Sequence, residues 1–247
     1  MTISTEGPKG LFGELYLRSS RPFLPEHVSV AEGDYLAARF AEAGTTGLVL
    51  DLGCGHGRHL AQLAPRMPGR VVGIDLDPLS VAEAKTVGPV CRGDLFRLPF
   101  RGGAFGGALC WYNTLGMFED EAVPVALAEL ARCVRPGGLV IVHGTPPQAA
   151  QWQPEANYDG QLPDGSHLVE QVRFDAARRR DQLTRHLTLP DGRFMAASFF
   201  IRYYAVSEWE ALFDAVGFEV RWVHGGLDGS ALTDASVDQI VGAQKRG

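Results

Sequence analysis

The segment Val49-Leu50-Asp51-Leu52-Gly53-Cys54-Gly55-His56-Gly57 is an apolar run that empties into three alternate glycines just before a helical pattern. Glycines there allow positive φ and let a ligand approach the backbone, while a helix N-terminus favours negative charge. This is a nucleotide-type loop. Two details narrow it. A dinucleotide fingerprint places its third glycine at position 58, where this chain has Arg58. Asp51 stands two residues before the loop, where its carboxylate repels a pyrophosphate and attracts an amine. The loop suits a ligand with an ammonium group. Further acids, Asp75, Asp77 and Asp94, end or follow the next apolar runs. Asp77 is followed directly by Pro78 and reads as a helix cap, and capping is also an alternative for the others.

Elements must position these groups. Leu48, Val49 and Leu50 form a first strand, and Leu60, Leu63, Ala64 and Met67 recur at helical spacing over 59–67. Further strands fall at 71–75, 89–92, 105–111 and 139–143, with helices at 29–40 and 78–85. Asp120 is expected to cap a helix with Val123, Leu127, Leu130 and Val134 on one face, stopped by Arg135-Pro136-Gly137-Gly138. Short apolar strands alternating with amphipathic helices imply a parallel sheet covered on both faces. The rhythm breaks at Gly144. From there to about Tyr204 the residues alternate as strands do, and Leu-Pro-Asp-Gly occurs at 162–165 and 189–192, the second placed as a hairpin turn. A helix at 207–216, with Ser207 and Glu210 spaced as a capping box, and strands at 218–223 and 237–244 then resume the α/β pattern.

On these residues the chain resembles the class I S-adenosylmethionine-dependent methyltransferases. Asp51-Leu52-Gly53-Cys54-Gly55-His56-Gly57 is similar to their first motif, and Val72-Gly73-Ile74-Asp75 to the second, whose acid takes both ribose hydroxyls. Gly93-Asp94-Leu95 resembles the third, in which the acid accepts from the adenine amino group, with Leu76 against the adenine. The segments 105–113 and 135–141 resemble what surrounds the fourth and fifth strands. The resemblance spans 48–143 and extends to 207–244. It implies a Rossmann-like seven-stranded sheet, mostly parallel with the last strand antiparallel, and an antiparallel β insertion after the fifth strand. It also implies S-adenosylmethionine as methyl donor, held by Asp51, Gly53, Cys54, Gly55, Gly57, Asp75, Leu76, Gly93, Asp94 and Leu95, with amides of the 53–57 loop on its amino-acid end. The expected organisation is an N-terminal helical arm (1–43), a core (44–143 and 205–247) and a substrate-binding insertion (144–204), a layout similar to bacterial small-molecule methyltransferases.

The 247 residues carry 45% hydrophobic and 21% charged side chains and a net charge of −6, a globular composition without the basic excess that phosphate neutralisation needs. Trp111-Tyr112-Asn113-Thr114 after the fourth strand departs from the pattern of methyltransferases acting on base amines and from that of Mg²⁺-dependent catechol enzymes. Nucleic acid and metal are therefore not expected; Cys54, His56 and His59 lack a second ligand pair. No apolar stretch spans a membrane, residues 1–10 show no signal core, and the four cysteines read as reduced thiols, so a cytosolic monomer or homodimer is expected. The basic run Arg178–Arg180 reads as a solvated turn. The expected reaction is in-line transfer to a nitrogen of a small organic acceptor, with oxygen as the alternative. A binder without turnover and an NAD oxidoreductase are further alternatives, the last disfavoured by Arg58 and Asp51. His143, at the end of the fifth strand, is the candidate base, because histidine ordinarily titrates near neutrality. Asn113 and Tyr16 join it as catalytic candidates, with His224 weaker. Phe12, Met117, Phe118 and Trp152 are candidate walls of the acceptor pocket.

Overall fold

Strands buried on both faces must be apolar along their whole length, and the middle of the larger sheet is built that way. The computed structural model describes residues 7–8, 10–152 and 154–247. In chain order it runs α1 (Glu14–Ser20), α2 (Glu26–Glu42), β1 (Leu48–Leu52), α3 (Arg58–Arg66), β2 (Val71–Asp75), α4 (Pro78–Ala84), β3 (Val90–Arg92) and β4 (Phe105–Cys110). There follow α5 (Val123–Cys133), β5 (Val134–Gly144), α6 (Pro147–Ala150), β6 (Glu155–Gln161), β7 (His167–Asp175), β8 (Arg180–Thr188) and β9 (Phe194–Arg202), then α7 (Val206–Ala215), β10 (Phe218–His224) and β11 (Gln239–Lys245).

The larger sheet has the order β10-β11-β5-β4-β1-β2-β3. Strands β1 to β5 pair in parallel, and β11 runs antiparallel to both β5 and β10, as the resemblance implied. One face carries α5 and α7 through Leu127, Leu130, Trp209 and Phe213. The other carries α2 and α3 through Leu36, Phe40, Leu60 and Leu63. All six residues of β4 are buried. Ligand-facing loops of such sheets lie at the carboxyl ends of the strands, which places the 53–57 loop, Asp75 and residues 111–114 along one edge.

The smaller sheet, β6-β7-β8-β9, is antiparallel throughout. Its inner face, with Leu168, Leu183, Leu187 and Phe199, closes over Leu11 and Leu15 of the arm. Both Leu-Pro-Asp-Gly segments make the same turn, not only the second. Leu162 N–H bonds Ser166 O and Leu189 N–H bonds Arg193 O, both at 2.8 Å, with Gly165 and Gly192 in positive φ.

Several local expectations fail for tertiary reasons. Asp120 does not cap α5, which starts at Val123 after Ala122. It accepts instead from Tyr204 Oη at 3.1 Å and faces Arg202 at 3.4 Å. Arg135-Pro136-Gly137-Gly138 does not end a helix but forms an irregular stretch inside β5, because Val134 already pairs with Phe105 before Leu139 pairs with Gly107. The cap of α7 shifts by two residues: Glu208 Oε2 accepts from Ala205 N–H at 2.8 Å, and Ser207 lies within the helix. Of the basic run, Arg178 pairs locally with Asp175 at 3.0 Å, while Arg179 reaches Glu208 at 2.8 Å and Arg180 reaches Glu119 at 2.9 Å, so two of the three dock the insertion on the core. All four cysteines are free thiols. Among the described residues, no helix is long and apolar enough to cross a membrane.

Candidate active site

A cavity of about 270 Å³ opens at the carboxyl edge of the larger sheet. It is lined by Asp51, Gly53, Cys54, Gly55, Asp75, Leu76, Gly93, Asp94 and Leu95, nine of the ten residues expected at the donor. The tenth, Gly57, lies behind the loop. Its φ of 86° belongs to the left-handed region, and a Cβ there would meet Ala84 Cα at 3.0 Å, so it lets the loop pack against α4. Gly53, at φ 73°, approaches Thr114 so closely that a Cβ would stand 2.7 Å from its Cγ2.

Four of the five amides of this loop are bonded within the protein, and His56 N–H forms no hydrogen bond among the described residues. Gly53 and Cys54 N–H donate to Ile74 O at 2.9 and 3.0 Å, Gly57 N–H to Cys54 O at 3.0 Å, and Gly55 N–H to Asp75 Oδ2 at 2.8 Å. They shape the loop instead. Asp75 Oδ1 also accepts from Asp77 N–H at 2.9 Å, leaving each carboxylate oxygen one accepting direction. Burial raises the Asp75 carboxyl, and the donated amides offset part of that. Asp94 Oδ1 accepts from Phe96 N–H at 2.9 Å, so the capping alternative holds for it alongside its place on the wall. Asp77 caps α4 through Ser80 N–H at 2.7 Å, as expected.

Asp51 is 1% exposed, and its Oδ2 has no hydrogen-bond partner among the described residues. Burial, and then the Asp75 charge, push its carboxyl up to about 7. A buried carboxylate left unpaired in a ligand cavity is a place for a cation.

Phe12, Tyr16, Met117 and Phe118 line the same cavity, with Leu24, Trp111 and Tyr112. The phenols of Tyr16 and Tyr112 are raised above their ordinary value by burial and are neutral hydrogen-bonding groups at pH 7. Tyr112 and Asn113 both adopt left-handed φ, 58° and 55°, a strained pair that surrounding bonds must hold. His143 and Asn113 supply those bonds. His143 Nδ1 accepts from Tyr112 N–H at 3.2 Å, its Nε2 donates to Asp238 Oδ1 at 3.0 Å, and its ring stacks 4.5 Å from Trp111. Asn113 Oδ1 accepts from Thr145 N–H at 3.0 Å. Neither residue lines the cavity. His224 stands apart, bonded to Tyr35 Oη at 2.8 Å. Trp152 is half exposed and also lies off the wall.

The sequence reading missed Glu32. It lies on the buried stripe of α2 with Ser29, Gly33, Leu36 and Phe40, and a lone acid at such spacing was the available signal. Its carboxylate pairs with Arg58 and accepts from His59 Nε2 at 3.2 Å and Trp111 Nε1 at 3.0 Å. Burial alone would raise Glu32, but donation from His59 and Arg58 outweighs it and holds the carboxyl at about 2. Burial lowers His59 to about 4, so it is neutral and donates.

The family model described as a methyltransferase domain matches residues 49–138. The chain is 27% identical, over 88% of its length and 92% of the other's, to a dTDP-3-amino-3,4,6-trideoxy-alpha-D-glucopyranose N,N-dimethyltransferase of Streptomyces venezuelae. Its structure is similar to that of an S-adenosylmethionine-dependent methyltransferase from Clostridium acetobutylicum, with TM-score 0.79 at 14% identity, covering 96% of this chain and 98% of that one. The sugar N-methyltransferase KedS8 of a Streptoalloteichus species matches at TM-score 0.73 and 19% identity, covering 100% and 99%. Glycine loop, strand-end acids and sheet order thus coincide with these similarities: residues 49–138 match the methyltransferase domain, and the chain has the class I methyltransferase fold.

Proposed function

We propose that the protein transfers a methyl group from S-adenosylmethionine to a nitrogen of a small organic acceptor, with amino sugars as the first class. The observation that carries this is the unpartnered, buried Asp51 carboxylate on a cavity wall that also holds Asp75 and Asp94. The donor's amine, its vicinal hydroxyls and its adenine amino group are one cation and two sets of donors, which three acids in that order satisfy. When bound, the donor supplies a methyl group made electrophilic by sulfonium sulfur.

The remaining work falls to this chain. Asp51 holds the amine, Asp75 the hydroxyls, and Leu76 and Leu95 flank the base. Phe12, Tyr16, Tyr112, Met117 and Phe118 form the acceptor wall, excluding water and orienting an apolar-bodied amine. Much of the acceleration then comes from alignment and desolvation, and an acceptor that enters as the free amine needs no dedicated base. His143 is given no proton-transfer role, because both of its nitrogens are engaged away from the cavity. The amino-sugar class is suggested by the acceptors named for the Streptomyces venezuelae and Streptoalloteichus proteins.

The test is mass spectrometry of dTDP-linked and free 3-amino sugars incubated with protein and donor. Gain of one or two methyl groups on nitrogen, matched by S-adenosylhomocysteine, supports the proposal. Methylation confined to hydroxyl compounds, or no product from any amine, overturns it.

A further inference from the structure

With the amides of Gly53, Cys54, Gly55 and Gly57 already bonded, the loop keeps only His56 N–H open to the carboxylate of an amino-acid-bearing donor, which leaves that carboxylate room for a charged partner. Arg58 is placed for it. Its side chain lines the cavity yet is only 10% exposed, clamped by Glu32, itself 4% exposed. Nη1 alone makes the bonds to Glu32 and to Ser29 Oγ, the latter at 3.0 Å. Nε and Nη2 form no hydrogen bond among the described residues, and neither is fully buried. The guanidinium lies 5.1 Å from the Tyr112 ring centroid, at the cavity's acceptor side. It is also near enough to draw Asp51 downward against burial. A carboxylate partner for ammonium and a guanidinium fork for carboxylate thus stand on one wall, the arrangement a zwitterion requires.

We propose that Arg58, oriented by Glu32 of α2, recognises the α-carboxylate of the methyl donor and selects ligands that keep it. This rests on the donor reading above and assigns its amino-acid end. Glu32 is the positioning residue: by also taking His59 and Trp111, it ties the arm helix α2 to the first turn of α3 and the end of β4. Seating the donor and seating the arm are therefore linked, and Phe12 and Tyr16 of the arm wall the acceptor side.

Calorimetry on the full chain tests this with three thioethers. S-adenosylhomocysteine carries amine and carboxylate, 5′-(3-aminopropylthio)adenosine keeps only the amine, and 5′-methylthioadenosine has neither. Wild type is expected to bind the first about 10- to 100-fold more tightly than the second, the worth of a charge-assisted bond. Arg58→Gln is expected to erase that ratio by weakening S-adenosylhomocysteine alone, and Arg58→Lys to restore only part of it, since an ammonium lacks the fork. Glu32→Gln is expected to shrink the same ratio, whereas a purely structural role would weaken all three ligands alike. Equal wild-type affinity for the first two ligands, which needs no variant, overturns the proposal, as does a uniform loss in Arg58→Gln. Absence of heat with all three overturns the donor reading itself, a result distinct from binding without discrimination.

Discussion

Replacing Asp51 with Asn should make the free protein more stable and the donor bind less well. The native carboxyl is buried, with Oδ2 unpartnered among the described residues, and is pushed up to about 7 from an ordinary aspartate value of about 3.9. At 1.36 kcal/mol per unit, its ionised form costs the folded, ligand-free protein about 4 kcal/mol. The sign follows from a folded value above the unfolded one. The penalty is absent below the unfolded value, grows as pH rises from there, and is complete above about 7. Asn cannot ionise, so Asp51→Asn should raise the free protein's stability at pH 8 by up to about 4 kcal/mol and change little at pH 4. Donor binding runs the other way. An ammonium group needs the ionised carboxylate, so wild-type affinity for S-adenosylhomocysteine should fall about tenfold between pH 8 and pH 6, with proton release on binding near pH 7. Urea unfolding at the two pH values and calorimetry in buffers of different ionisation enthalpy measure both effects. Equal stability of variant and wild type at pH 8, together with an unchanged pH profile of binding in Asp51→Asn, would refute the reasoning.

Gly53→Ala places a Cβ 2.7 Å from Thr114 Cγ2 at a φ of 73°, and should cost about 2 to 4 kcal/mol in urea unfolding and distort the loop enough to weaken donor binding. His143→Ala removes the acceptor for Tyr112 N–H and the donor to Asp238, so stability should drop by about 1 to 3 kcal/mol with donor affinity retained. Turnover abolished at unchanged stability would instead make His143 a base. Glu208→Ala takes from Arg202, which is 5% exposed, the nearer of its two carboxylate partners, leaving Asp120 at 3.4 Å, and removes the cap of α7; a loss of about 2 to 3 kcal/mol, with faster hydrogen exchange in β9, is expected.

What was legible in the sequence is what local chemistry encodes. Val49 to Gly57 shows a buried strand, a positive-φ loop and a helix start within nine residues, and Asp75 and Asp77 declare a strand end and a cap in the same way. What was not legible depends on partners far along the chain. Asp120 looks like a cap until Tyr204, 84 residues on, takes its carboxylate. Spacing pointed to Glu210 for the cap of α7, but Glu208 makes it while also meeting Arg179 and Arg202 from the insertion. His143 was correctly placed at a strand end, but no periodicity shows that Asp238, 95 residues away, occupies one ring nitrogen and Tyr112 the other. Arg58 stood out only as a departure from a dinucleotide fingerprint. Its meaning came with Glu32, 26 residues upstream, which also bonds neighbouring His59 and, across 79 residues, Trp111.

The most direct measurement is a calorimetric titration of the purified protein with S-adenosylhomocysteine, beside Asp75→Ala. One saturable site in the wild type, lost or weakened at least about tenfold when the carboxylate proposed to meet the two hydroxyls is removed, is the expected result. No heat at millimolar ligand, or unchanged binding in Asp75→Ala, would contradict it.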